Sequence, residues 1–443
     1  MQKEMLFWIW LSEALGAGNR DFGRLIALYE TPYDIFLAEE AELERISELS
    51  PRSVRALADK DLQRATKILD TCERQGIGIL PYGDERYPKA FVDLKDPPIL
   101  LYYTGCLPDL SRRLSIGMVG TRKMSEYGLR SAYKIAYELA SAGVVIVSGM
   151  AAGIDGVCAA GALAAKGETV AVLGCGVDIV YPKHHKRLRD AIAQNGAVIS
   201  EYPPGTRPTA YHFPTRNRLI AGLSQGTVVV EAGMGSGSLI TAKVAVAQGK
   251  EVFALPANVG SVGAEGTNGL LRDGAHPILE SEDVLEPYLY SYAEVIKPEV
   301  IRKIGNASLV NMQYLNELGV IELVASQKKT ERSSDIKTVQ NEPKQKEKTV
   351  RNRKPSERKT EKTVTEPKSE ERKPDRRETP DETLASLSPV QLAVMQAIPD
   401  DHGITADALS SLEYPYQEVI SALTMLEILG LVQKLPGAIY VKI

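Results

Sequence analysis

From Leu114 to Ala254 the chain alternates short, unbroken apolar runs with longer amphipathic stretches. The runs Ile116 to Val119, Val144 to Val147, Thr169 to Leu173, Ala197 to Ser200, Thr227 to Val230 and Glu251 to Ala254 show no polar alternation. Strands look like this when helices cover both faces of a parallel sheet. Between them, Tyr127 to Ala142, Ile154 to Ala165, Lys186 to Gln194, Arg216 to Leu223 and Ser238 to Gln248 carry apolar residues at helical spacing. The pattern predicts an α/β fold, a Rossmann-like, doubly wound and mostly parallel sheet, over residues 114–285.

The flanks differ in texture. Over residues 1–75, Leu6, Ile9, Trp10, Leu15, Leu25, Ile26, Ile35, Phe36, Leu43 and Leu49 recur at helical spacing, broken at Gly16-Ala17-Gly18-Asn19, Thr31-Pro32 and Ser50-Pro51. A small helical domain of SAM or helix-hairpin-helix type is expected. Its glycine turn suits either a backbone phosphate contact or simple packing, and packing is the favoured reading. Residues 76–113 read as a connecting segment leading into the sheet, with strand-like pieces at Gly76 to Leu80 and Pro98 to Tyr103. Residues 286–325 read as a helical extension without an assigned role. Residues 326–385 are dense in Lys, Arg, Glu, Pro, Ser and Thr, a composition expected of a disordered tether. Residues 386–443 regain apolar spacing and predict a winged helix, with helices at Pro389 to Ala397, Thr405 to Ser410 and Tyr416 to Gly430 and a hairpin turned at Pro436-Gly437. Tyr416 to Gly430 contains no Lys or Arg, so this domain is expected to contact protein rather than read DNA.

Length and charge then narrow the classes. With 443 residues the chain has room for two or three domains. Its net charge of -4 excludes a generally basic polyanion binder, so attraction to nucleic acid must come from a local cluster. Cys72, Cys106, Cys158 and Cys175 show no paired spacing and read as reduced thiols. The apolar stretch Met5 to Leu11 is too short for a signal peptide, and no apolar run approaches about 18 residues, so a cytoplasmic, non-membrane protein is expected.

Candidate chemistry lies at the strand exits, because ligands of such sheets bind at the carboxyl ends of the strands. The residues there are Gly120, Thr121 and Arg122; Ser148 and Gly149; Gly174 and Gly176; and Gly235, Ser236, Gly237 and Ser238 at a helix start. Phe213, Arg216, Asn217 and Arg218 sit just upstream of that helix, and Lys183 follows Tyr181-Pro182. Glycines admit close backbone approach, and a helix N-terminus favours an anion. The set suits an extended phosphate-bearing ligand. Arg122 and Lys183 could also be ordinary surface, and Arg216 and Arg218 could instead pair with Glu201 or Glu231. Dinucleotide and P-loop fingerprints are absent, as are spaced nucleophiles and paired metal ligands, so no catalytic residue, metal or cofactor is expected. His184 and His185, beside Lys183, Lys186 and Arg187, read as part of an electropositive rim.

Taken together, Gly120-Thr121-Arg122, the run Ser148 to Asp155, Gly174 to Asp178 followed by Tyr181-Pro182-Lys183, the run His212 to Ser224, Ser236 to Ala242 and Asn268 to Ala275 resemble the DNA-processing protein A family, DprA or Smf. The resemblance covers roughly Gly76 to Leu285. It implies a non-enzymatic protein that binds and protects single-stranded DNA, helps load the RecA recombinase during natural transformation, and forms a homodimer. It also implies DNA contacts at Arg122 and Lys183 and at the glycine turns. Ala152 and Gly235 stand where the family usually has arginine. If Arg122, Lys183, Arg216 and Arg218 each neutralise a phosphate, the salt slope is about -3. The alternative is a nucleoside-phosphate hydrolase on a similar sheet, with Glu231 before the glycine turn as the carboxylate.

Overall fold

The computed structural model describes residues 2–261, 263–304, 310–322, 389–399 and, between 404 and 442, residues 404–405, 408–411, 414, 419, 422–423, 426, 431–435 and 439–442. The chain divides into two compact units, Met1–Val339 and Gln340–Ile443. The tether expected at 326–385 lies outside the described residues, as do the Pro436-Gly437 turn and most of Tyr416 to Gly430.

The first unit begins with six helices: α1 (Gln2–Leu15), α2 (Asp21–Leu28), α3 (Pro32–Leu37), α4 (Glu40–Leu43), α5 (Pro51–Ala58) and α6 (Gln63–Gln75). Two of their starts follow directly from local chemistry. Thr31 and Asp34 form a reciprocal capping box ahead of Pro32, and the Ser50 hydroxyl accepts from the Ser53 amide ahead of Pro51. Buried Asp21 accepts from the hydroxyls of Ser50 and Ser53, each at 2.7 Å, tying α2 to α5.

A nine-stranded sheet follows. Its strands are β1 (Gly78–Pro81), β2 (Leu100–Gly105), β3 (Ser115–Val119), β4 (Val145–Ser148), β5 (Thr169–Leu173), β6 (Gly196–Ser200), β7 (Gly226–Val229), β8 (Glu251–Ala254) and β9 (His276–Pro277), in spatial order 1-2-6-5-4-3-7-8-9. From β6 to β9 every pairing is parallel. β1 and β2 extend the β6 edge in antiparallel fashion, so the segment before Leu114 supplies two strands of the sheet itself.

The crossover helices are α7 (Glu126–Ser141), α8 (Ile154–Ala164), α9 (Lys186–Gln194), α10 (His212–Leu223) and α11 (Gly237–Ala247), followed by α12 (Glu265–Arg272). Successive strand residues point to opposite faces, and each face has its own core. Ile146, Ala171, Leu173 and Val198 pack with α7, α8 and the N-terminal helices. Val145, Val147, Val170, Val172 and Ile199 pack with α10 and α11. Burial at both parities is the physical reason the strands appear as unbroken apolar runs. Order 5-4-3-7 reverses the direction of winding between β3 and β7, which opens a crevice at their carboxyl ends.

In the second unit the described residues include a helix, Pro389–Ala397, and three antiparallel strands, Ile404–Thr405, Val432–Leu435 and Ile439–Lys442, the last lying between the other two. Val394, Ile398, Leu409, Leu423, Leu426 and Val432 form their core.

Cys72, Cys158 and Cys175 are buried and Cys106 is exposed, all as free thiols. Burial pushes the Cys175 thiol up to about 11, which keeps it protonated and unreactive. Among the described residues no helix is long and apolar enough to cross a membrane, and no group of three or more His, Cys, Asp or Glu could hold a metal.

Candidate nucleic-acid interface

The β3–β7 crevice opens as a cleft of about 830 Å³. Of the residues singled out from the sequence, Gly120, Thr121, Arg122, Phe213, Arg216, Asn217, Gly235, Ser236, Gly237 and Ser238 line it. Phe213 is its centre. The Arg122 guanidinium lies 5.0 Å from the Phe213 ring centroid and that of Arg216 5.9 Å, and the Tyr181 ring lies 5.6 Å away, tilted by 34°. Half-buried Phe213 is thus held between two cations and a second aromatic ring.

The two arginines differ in burial. Arg122 is exposed, beside exposed Lys123. Arg216 is 5% exposed and belongs to the floor: its Nη1 donates to Gly149 O at 2.9 Å and to Val172 O, and its Nε donates to Asn217 Oδ1 at 3.0 Å. Gly149 makes this possible, because a Cβ there would stand 2.6 Å from the guanidinium nitrogens. Gly153 has φ 83° and packs so closely against the β3 exit that a Cβ would meet Thr121 O at 2.4 Å. Only glycine tolerates both the dihedral and the approach.

Asp155, two residues into α8, is buried beneath the cleft and accepts hydrogen bonds from the backbone of Ala151, Gly120 and Gly149. Burial pushes its carboxyl up and that of the neighbouring Arg216 guanidinium down, while each charge favours the other. Asp155 and Tyr181 complete the cleft yet fall outside the strand-exit set. A carboxylate at the second position of a helix, just after a glycine turn, is the sequence signal that marks Asp155. Exposed Glu265 adds the one negative charge on the cleft rim among the described lining residues.

The start of α11 also lines the cleft, with Gly235 to Ser238. The Ser236 side chain caps the helix by accepting from the Ser238 amide at 3.4 Å, and the two hydroxyls lie 2.7 Å apart. With Arg122 over Phe213, one cleft lining brings together a cation, an aromatic ring, a hydroxyl pair and a helix N-terminus. That combination suits a phosphodiester with a stacked base.

Other sequence-selected residues lie elsewhere. The Ser148 hydroxyl donates to Met118 O at 2.7 Å inside the sheet. Gly174 lies beneath His212 and Phe213, and the Gly176 amide donates to Thr206 O, so both shape the loop that borders the cleft. Lys183 is exposed outside the cleft lining. Arg218 faces away from the cleft and is buried against Glu201 at 2.5 Å and Asp96 at 3.6 Å. The run Lys183 to Arg187 is not a uniform electropositive rim. His185 is fully buried, its Nδ1 lies 3.1 Å from Met150 O, and burial pushes its imidazole down to about 4, so it is neutral. Glu231 is buried too, and its Oε2 accepts from the Ser125 amide at 2.9 Å at the start of α7.

Residues 78–289 match the family model described as DNA recombination-mediator protein A. The chain is 40% identical over 220 residues to the DNA processing protein DprA of Bacillus subtilis, covering 50% of this chain and 74% of that protein. It is 42% identical over 205 residues to the DNA processing protein DprA of Streptococcus pneumoniae, covering 46% of this chain and 72% of that protein. The X-ray structure of DNA processing protein A from Streptococcus pneumoniae superposes with a TM-score of 0.56 at 35% identity, over 63% of this chain and 97% of that chain.

Proposed function

Because this chain belongs to the DNA recombination-mediator protein A family, we propose that it is a non-enzymatic protein that binds single-stranded DNA in the β3–β7 cleft. The observation that carries this reading is Phe213, set among Arg122, Arg216 and Tyr181 in a cleft that the start of α11 also lines. A base stacked on that ring leaves its phosphates to Arg122 and to the Ser236 to Ser238 turn. A duplex keeps its bases stacked on one another, so the arrangement favours a single strand. Protection of incoming strands, loading of the RecA recombinase during natural transformation, a cytoplasmic location and a homodimer belong to the same reading and rest on the family.

The hydrolase alternative required a carboxylate free to act at the end of β7. Glu231 is instead engaged with the Ser125 amide and its backbone carbonyl accepts from Thr121, so it serves the junction of β7 with the β3 exit. Fluorescence anisotropy of a labelled oligo-dT and of its duplex, at two salt concentrations, tests the reading. Salt-sensitive binding that prefers the single strand is expected, and equal or stronger binding to the duplex would overturn it.

A further inference from the structure

A second cleft, of about 540 Å³, lies where the N-terminal helices meet the loop before α10. It is lined by the Gly16 to Asn19 turn, by Arg52 and by Tyr211, among others. The start of α10 separates it from the first cleft. Tyr211 lines the second cleft and Phe213 the first, and two helical positions differ by roughly 200° around the axis, so the two rings face opposite ways. Tyr211 is 87% exposed, a large aromatic surface with nothing packed on most of it. The preceding loop bridges the same divide: Thr206 lines the second cleft, Pro208 the first, and exposed Arg207 stands between them.

Charge in the second cleft reduces to one residue. Glu13 pairs with Arg64, and Glu201 pairs with Arg218. Arg52 and Arg207 are exposed, and among the described residues neither has an ion-pair partner. The glycine turn itself has no free amide at its glycines, since Gly16 N–H donates to Ser12 O and Gly18 N–H to Glu201. Any phosphate here meets a guanidinium rather than the turn.

We infer that a strand longer than the first cleft continues over the start of α10, with a base stacked on Tyr211 and a phosphate at Arg207, and enters the second cleft, where Arg52 of the N-terminal helices takes a further phosphate. The N-terminal helices are then part of the DNA site. This rests on the reading of the first cleft given above.

The test uses the full chain, the variants Tyr211→Ala and Arg52→Ala, singly and combined, and oligo-dT of about 6 and about 20 nucleotides. Both side chains are exposed, so thermal unfolding should be unchanged. For the long strand, Tyr211→Ala is expected to weaken binding about fivefold or more through the lost stack, and Arg52→Ala to flatten the salt slope by about 0.7. The short strand should bind as it does to the wild type. Unchanged long-strand affinity, or equal loss for both lengths, overturns the inference. A wild-type chain that binds neither strand removes the reading of the first cleft and this one with it, which separates the two failures.

Discussion

Arg218 Nη2 donates to Glu201 Oε2 over 2.5 Å, with both side chains buried, and the other Glu201 oxygen accepts from the Gly18 amide at 3.1 Å. One carboxylate therefore joins α10, the end of β6 and the turn after α1. Removing one partner of a buried ion pair strands the other charge, at a cost of about 3–5 kcal/mol. Glu201→Ala should lose about that much stability in urea unfolding, and Glu201→Leu combined with Arg218→Met should recover most of it. A single variant as stable as the wild type would mean that Asp96, 3.6 Å from Arg218 Nε, is a sufficient partner.

The burial of Arg216 and Arg218 changes the expected salt dependence. With both held by protein partners, a strand of about 6 nucleotides, short enough to stay on the Phe213 side of the α10 start, meets the exposed cations Arg122, Lys123 and Lys183. Three phosphate contacts on a single strand give a slope of about -2, or roughly a 20-fold loss between about 50 and about 200 mM salt. Arg122→Ala with Lys183→Glu should abolish single-strand binding without unfolding the chain. A slope near -3 with that short strand would instead bring Arg216 into phosphate contact.

Gly235 and Gly149 should respond oppositely to a side chain. Gly235 is exposed, with nothing within 4 Å of where a Cβ would stand, so Gly235→Arg should leave stability unchanged, tighten oligo-dT binding and steepen the salt slope by about 0.7. At Gly149 a Cβ would sit 2.6 Å from the Arg216 guanidinium. Gly149→Ala should cost about 1–3 kcal/mol through overpacking and weaken binding by displacing the floor beneath Phe213. Stable, fully active Gly149→Ala would show that the floor can shift freely.

His185 gives the protein an acid-sensitive junction. Its Nδ1 lies 3.1 Å from the carbonyl of Met150, a residue held at φ 52°, and burial lowers its pKa from 6.5 to about 4. The unfolded chain therefore takes up a proton that the folded chain refuses. Stability is full above about pH 6.5 and falls as pH drops toward 4, by up to about 3 kcal/mol. His185→Asn, whose amide can replace the Nδ1 donor, should flatten urea midpoints measured over that range.

Much of the sheet is legible in the sequence. Thr169–Leu173 and Glu251–Ala254 are strands at the positions their apolar runs mark, β3 and β6 begin one residue earlier than expected, β4 and β7 are shifted by one residue, and the short parallel strand β9 has no apolar run to mark it. Residues with the same local pattern proved harder to place. Arg216 and Arg218 are both cations on one short helix, and sequence spacing assigns both to the crevice. Two positions turn a helix by roughly 200°, so α10 sends Arg216 to the cleft floor and Arg218 to Glu201 on the other side. Tyr211 and Phe213 part in the same way. Nothing local marks which face meets the crevice, because that depends on how α10 rests on β5 and on the loop from β6.

Alternating apolar runs, glycine-punctuated exits and the Thr31-Pro32 and Ser50-Pro51 starts are local features, so the sequence alone determined most of the elements, the α/β class and the crevice edge proposed to carry the site. The strand order, the antiparallel addition of β1 and β2, the neutral burial of His185 and the engagement of Glu231 with α7 were decided by tertiary structure. Desolvation and ion pairing act between groups far apart in the chain, such as Gly18, Glu201 and Arg218, and their energies exist only once packing has excluded water from between them.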